Sequence, residues 1–340
     1  MKKSNKIMAL LSVVLLVLLT ACSSGSSDKS GNGGSGGGSV TTIKFAHTGS
    51  TTHQDQIYAE KFKELIEKST DHKIKVDIFP NGQLGSEADV IKGVQNNTID
   101  MTEVTADSSM AQVVPSMNVL GVPYLFRDLQ HVYKVLDGEI GQKLLEDVNK
   151  KSLVALGYSE VGFSNITNSK HKVVEPSDMK GLKMRIQPAP IWEAFMKKLG
   201  AVSTSMNFTE LYSGLQQGVV DGEENPIATI AAMKFYEVNK YISLTKHSYK
   251  ANVVVISPKT WEKISEENQE KMKEAAKEAF EYQRDYLAKK EEETIKELKG
   301  KGVIITEPNR AAFEEATKDV YKEVSKDVPE SLVKEIKSVK

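Results

Sequence analysis

The chain has 340 residues, of which 39% are hydrophobic, 45 are basic, 46 are acidic and one is cysteine. That near-neutral balance argues against nucleic acid as a partner, and a single cysteine rules out a disulfide framework or a thiolate metal cluster. About 300 residues remain after the glycine-rich N-terminal stretch, enough for two packed lobes.

Lys2, Lys3 and Lys6 form a basic start before an apolar run from Ile7 to Leu19. Those 13 residues fall short of the roughly 20 that span a bilayer as a helix, and the arrangement is that of a secretory signal. Leu19-Thr20-Ala21-Cys22 follows and resembles a bacterial lipobox. Residues 1–22 are therefore expected to be a lipoprotein signal peptide, with Cys22 carrying the lipid that anchors the protein to the outer face of the cell membrane. An ordinary signal peptide containing a cysteine is the other reading. Without the three signal lysines, 42 basic side chains face 46 acidic ones, so an anion must be captured by a local site and not by a general basic field.

Residues 23–39 are almost entirely Gly, Ser, Asp and Asn. No strand precedes Gly31-Asn32-Gly33-Gly34 and no Lys-Ser/Thr pair opens a helix after it, which excludes a phosphate loop. The stretch is a tether, on the order of 20–25 Å long as a random coil.

From Val40 the pattern is alternating α/β. Thr42–Ala46 reads as a strand, Gln56–Lys68 as an amphipathic helix, and Ile74–Ile78 as a second strand ended by Pro80-Asn81-Gly82. Ser86 is placed to cap a helix through about Val94, and Thr98–Thr105 reads as a third strand. This β-α-β-α-β order predicts a largely parallel sheet covered by helices. The pattern restarts with strands at Leu153–Tyr158, Gly181–Gln187 and Val253–Ile256, the last short and fully buried. Helices fit Ile191–Leu199, Thr209–Gln217 and Ala228–Phe235. A long helix over Glu266–Lys299 turns Met272, Ala276, Ala279, Tyr286 and Leu287 to one side, and a late strand covers Val303–Ile305. Two α/β lobes joined by more than one crossing strand is the simplest arrangement.

Motifs for catalysis are absent: there is no Gly-x-Ser-x-Gly, no His-Glu-x-x-His, and no Gly-x-Gly-x-x-Gly after a strand. No enzyme activity, cofactor or metal is expected. The six histidines show no ligand spacing and read as surface or loop residues, and Glu223-Glu224 reads as a solvated pair on a turn. In Leu182–Gln187, by contrast, Leu182, Met184 and Ile186 share one face while Lys183, Arg185 and Gln187 share the other. Pro188 puts Arg185 at the carboxyl end of its strand, where open α/β sheets bind ligands, and a guanidinium there matches a carboxylate in two charge-assisted bonds. A solvent-facing arginine on a half-exposed strand fits the same pattern. Further on, Asp221-Gly222-Glu223-Glu224-Asn225-Pro226 could hold an asparagine amide toward a ligand or be simply a loop.

Taken together, Pro80–Gly85, Val122-Pro123-Tyr124-Leu125-Phe126, Asp178–Arg185, Phe208–Tyr212 and Gln217–Pro226 resemble the DctP-like substrate-binding proteins of tripartite ATP-independent periplasmic (TRAP) transporters. The resemblance runs from about Ile43 to Phe313. It implies a two-lobed periplasmic-binding-protein-like α/β fold with mainly parallel sheets, crossing strands and a long bracing helix, closing by a hinge on a small organic anion that it delivers to the transporter's membrane subunits. Lobe I would comprise residues 40–162 plus about 251–288, and lobe II residues 163–250 plus about 289–340. The resemblance assigns Arg185 to the ligand carboxylate, Asn225 to a ligand hydrogen bond and Phe208 to its carbon skeleton. Glu103 and Thr105 at the end of the third strand and His47 after the first are added from the first lobe, where loop residues near the ligand without touching it fit equally. One departure is Ser164, in Gly162-Phe163-Ser164-Asn165, where many relatives carry a second arginine. A hydroxyl cannot pair with a second carboxylate, so the expected cargo has one carboxylate on Arg185 and hydroxyl or keto groups read by Ser164, Asn165, Gln187 and Asn225. The same anchor and lobes would also serve an ATP-driven importer or a sensor kinase.

Overall fold

The computed structural model describes residues 40–340; the signal segment, Cys22 and residues 23–39 lie outside the described residues. The chain begins with β1 (Thr41–Ala46), α1 (Gln54–Ser69), β2 (Ile74–Phe79), α2 (Glu87–Gln95) and β3 (Met101–Thr105), the expected β-α-β-α-β order. Ser86 caps α2 in a reciprocal box with Asp89. The predicted third strand is shorter than expected, because Thr98 and Ile99 turn back to hydrogen-bond Gly93 at the end of α2. Short π and 3-10 segments (Ala106–Met110 and Pro115–Gly121) and two helices, α3 (Leu129–Leu136) and α4 (Glu139–Asn149), complete this lobe.

After them come β4 (Val154–Asn168), β5 (Lys183–Ile186), α5 (Pro190–Lys198), β6 (Val202–Ser205), α6 (Leu211–Gln216), β7 (Gly222–Pro226), α7 (Ile227–Ala232) and β8 (Tyr241–Ile256). The chain ends with α8 (Pro258–Trp261), α9 (Glu266–Gly300), β9 (Ile304–Thr306), α10 (Arg310–Thr317), α11 (Val320–Glu323) and α12 (Glu330–Ser338). The strands form one sheet in the order β2-β1-β3-β8-β4-β7-β5-β6, with β9 beside β8. Its two wings are parallel as predicted, whereas β3-β8, β8-β4 and β4-β7 run antiparallel. The antiparallel centre arises because β4 and β8 each cross from one lobe to the other in opposite directions.

Two strand readings are corrected here. Leu153–Tyr158 and Val253–Ile256 are not short strands but the ends of a 15-residue and a 16-residue strand. Register shifts at Ala155/Gly157, Glu160/Gly162 and Ser164/Ile166 interrupt the two-residue alternation that would have exposed their length. The long helix α9 holds 35 residues, about 52 Å at helical rise, and packs on α1, β4 and α7, bracing both lobes. Met272, Ala276, Ala279 and Leu287 are buried as expected, but Tyr286 is exposed. The inward position one turn earlier belongs to Gln283, which donates to Gln54 O and accepts from Glu160 N. No helix among the described residues is long and apolar enough to cross a membrane.

Candidate ligand-binding site

The carboxyl ends of four strands open into one cleft between the lobes. Thr48 follows β1, Thr105 ends β3, Gln187 follows β5 and Asn225 lies near the end of β7, and all four line it. His53, Asp55 and Glu87 complete the first lobe's wall, Phe208 and Thr229 the second's, and Lys250 and Asn252 rise from the crossing strand β8. The lobes touch across this cleft. Gln187 Nε2 donates to Thr105 Oγ1 at 3.1 Å, Gln54 Nε2 donates to Thr229 Oγ1 at 2.6 Å, and Gln112 Nε2 donates to Pro188 O at 2.9 Å. The His53 ring meets the same Thr229 hydroxyl at 3.2 Å and lies 6.0 Å from the half-buried Phe208 ring.

Arg185 stands two residues back from Gln187 on β5. It is 1% exposed, which overturns the solvent-facing alternative. Its Nε donates to Met206 O at 3.0 Å, while Nη2 is buried with no partner among the described residues. No described carboxylate comes within 4.0 Å of the guanidinium. Burial pulls its pKa down, and the more distant Glu224 and Glu223 pull it back. A buried cation left this way is costly unless an anion joins it.

Glu223 and Glu224 are likewise not a solvated turn. Both are buried on β7, which pairs with β4 on one side and β5 on the other. Burial pushes Glu223 up to about 8, against the pull of the Asn225 amide that donates to it. Burial also pushes on Glu224, but Lys250 Nζ at 2.9 Å, with His247 at 3.5 Å, holds it at about 2. Lys250 also donates to Gln187 Oε1 at 2.9 Å and sits 4.2 Å above the Trp192 ring. It thus brings a second cation to the cleft, already paired. In the first lobe, burial raises Glu103 well above the ordinary carboxylate range. At neutral pH Glu223 offsets Arg185 poorly, and the ionised Glu224 is already paired with Lys250.

Of the residues singled out in the sequence, Thr105, Gln187, Phe208 and Asn225 line the cleft and Arg185 adjoins them. Ser164 is buried with its Oγ unpartnered among the described residues, opposite Pro226 and Ser248. Asn165 faces Asn225 across the ladder, but its amide donates to Phe163 O and accepts from Lys246 N. Glu103 accepts from Ser159 Oγ at 2.7 Å, and His47 bonds Gln56 at 3.0 Å, so both stand behind the lining. The surface-or-loop reading of the histidines holds for His72 and His171, which are exposed, and for His47 and His53, which lie in the loop between β1 and α1 although buried. It fails for His131 on α3 and His247 on β8, both buried. Each of the four buried histidines finds a polar partner or an aromatic neighbour that offsets its desolvation. Lys250 and Glu224 escaped sequence reasoning, although a lysine and an asparagine leading into Val253-Val254-Val255-Ile256 are out of place on a buried strand. No signal pointed to His53, Asp55 or Thr229.

With this geometry, the comparisons with known proteins agree. Residues 45–327 match the model of the bacterial extracellular solute-binding proteins, family 7 (DctP). The chain belongs to that family. It is 38% identical over 276 residues to the 2,3-diketo-L-gulonate-binding periplasmic protein YiaO of Escherichia coli, covering 81% of this chain and 84% of that one. A TRAP periplasmic solute-binding protein from Polaromonas, solved with D-erythronate, superposes with a TM-score of 0.85 at 34% identity, covering 88% of this chain and 99% of that one. A second, from Sulfurospirillum deleyianum with bound succinate, gives the same TM-score and identity over 89% and 100%. Family membership makes this a two-lobed extracytoplasmic solute-binding protein of the TRAP kind, and not the binding subunit of an ATP-driven importer.

Proposed function

We propose that the protein closes its two lobes on a small organic acid, clamps the carboxylate with Arg185, and presents the closed form to TRAP membrane subunits. The observation that carries this reading is the buried Arg185 guanidinium, with a free terminal nitrogen and no carboxylate of the described residues beside it. A ligand carboxylate supplies the missing charge in low dielectric, where such a pair is strongest. Asn225 and Gln187 address hydroxyl or keto oxygens, Phe208 packs on the carbon chain, and Thr105 closes the opposite wall. Ser164 in place of a second arginine favours acids with one carboxylate, such as sugar acids and hydroxy acids. Erythronate in one neighbour and a diketo-gulonate in YiaO support this class, whereas succinate in the other neighbour carries two carboxylates. Lobe boundaries at 40–162 with about 251–288, and 163–250 with about 289–340, follow the two crossings of β4 and β8. Lipid on Cys22 would hold the body at the membrane, and Cys22→Ala would then release it from the membrane fraction.

One arrangement favours a second reading, a hydrolase. Asp55 Oδ1, His53 Nδ1 and Thr229 Oγ1 stand in line, with 3.1 Å and 3.2 Å between them and the ring. Gln54 Nε2, however, already donates to that hydroxyl at 2.6 Å, and the contact joins the two lobes. We read it as a closure contact in a carrier that does no chemistry. A thermal-shift panel of sugar acids, hydroxy acids, keto acids and dicarboxylates, each beside its neutral polyol or amide, tests the proposal. Carboxylates should raise the melting midpoint and their neutral partners should not, and the ligand should be recovered intact. Equal shifts from neutral partners, or turnover of the ligand, would sink it.

A further inference from the structure

Beside the cleft, two loops from opposite lobes meet in van der Waals contact. Pro80-Asn81-Gly82 turns out of β2 in the first lobe, with a left-handed φ of 58° at Asn81 and 65° at Gly82. Asn81 N donates to Gly49 O at 2.8 Å, Gly82 N to His47 O at 3.1 Å and Gly85 N to Gly82 O at 3.0 Å. The turn is thus tied to the loop after β1 and to itself. Against it rests Thr209, on the short helical turn Phe208–Glu210 of the second lobe, which Asn207 and Glu210 cap reciprocally. Phe208, next to Thr209, lines the cleft and stands edge-on to Phe235 at 5.9 Å. Neither side of the contact is free to yield. A Cβ on Gly82 would lie 2.6 Å from Thr209 Cγ2, well inside the roughly 3.5–4.0 Å at which carbons touch. The same Cβ would lie 3.9 Å from Thr209 Cβ, an ordinary contact, and 3.3 Å from Gly85 O within its own turn. The severe conflict across the cleft is therefore with one methyl group.

We propose that Gly82 and Thr209 are the stop against which the two lobes close. With no side chain on Gly82 the second lobe descends far enough to seat Phe208 on the cargo, and any side chain there holds the cleft ajar. This rests on the reading above, that the lobes close on a carboxylate, and adds the point at which closure ends. A cleft that completes its closure in only a fraction of molecules binds with an affinity reduced by that fraction.

Calorimetry on the full chain with D-erythronate, D-gluconate and succinate, then on variants with the tightest of the three, tests the stop. Gly82→Ala should weaken binding about tenfold or more. Thr209→Ala should stay within about twofold of wild type, and the double variant should recover most of the loss. Alanine at a left-handed φ, close to Gly85 O, strains the turn equally in the single and the double variant, so a merely structural defect would not recover. Gly82→Ala binding like wild type, or a double variant as weak as Gly82→Ala, overturns the proposal. Cross-linking reads the same contact whichever acid is bound. The 3.9 Å between Cβ positions suits a disulfide, and Cys22→Ala removes the one native thiol. In that background Gly82→Cys/Thr209→Cys should form an intramolecular disulfide with copper phenanthroline, and its failure to form overturns the stop as well. A wild type that binds none of the three acids, with the disulfide formed, sinks the carboxylate reading instead and leaves the contact standing.

Discussion

Glu223 and Glu224 adjoin in sequence and differ most in ionisation, because a strand sends neighbours to opposite faces. Glu224 meets Lys250 and His247, and Glu223 meets only an amide. Glu224→Gln leaves Lys250 buried without its anion and should cost about 3–5 kcal/mol in urea unfolding at neutral pH. Glu223 behaves the other way. Its folded pKa of about 8 stands above the ordinary 4.5, so between those values the native state holds a proton that the unfolded state has lost. Its contribution is neutral below 4.5 and destabilises increasingly as pH rises toward 8. Glu223→Gln should therefore match wild-type stability near pH 4 and exceed it progressively up to pH 8; a pH-independent difference between the two would contradict the buried-acid assignment.

Among the elements, those built on unbroken periodicity were legible: Ser86 and its helix, the Arg185 strand ended by Pro188, and the long α9. β4 and β8 were not, because their bulges break the alternation and their crossing segments bury Ser159, Glu160 and Lys250, residue types that read as surface. The site shared that division. Arg185 was a candidate from its place at a strand end, with a solvent-facing side chain equally compatible until its burial was seen, while Lys250 and Glu224 were hidden by polar composition and Thr229 by having no pattern at all. The bulge at Gly157 carries its own test. Its φ is +144°, and a Cβ there would lie 2.5 Å from the Phe280 ring on α9. At Gly181, φ is +78° with nothing within 4 Å. Gly181→Ala should cost about 1 kcal/mol from backbone conformation alone, and Gly157→Ala clearly more, since α9 must shift as well. Equal losses in thermal unfolding would mean that α9 does not press on the crossing strand.

At the scale of the molecule, the two lobes meet through a few side chains, and Thr229 takes two of those contacts, from His53 and Gln54. A ligand shifts a hinge equilibrium only by contacts it gains in the closed form, and the lobes' own contacts set the starting point. Thr229→Val keeps the shape and removes both contacts, so it should speed ligand dissociation several-fold in stopped-flow with a smaller effect on association. Unchanged dissociation would assign closure to the ligand alone. Everything else in the account depends on one cation. Titration calorimetry of the best carboxylate ligand against wild type and Arg185→Ala, with folding of the variant verified by its melting midpoint, measures that dependence directly. Loss of a charge-assisted bond worth about 1.5–3 kcal/mol should weaken binding roughly tenfold to more than a hundredfold, and an Arg185→Ala protein that binds as tightly as wild type would contradict the site itself.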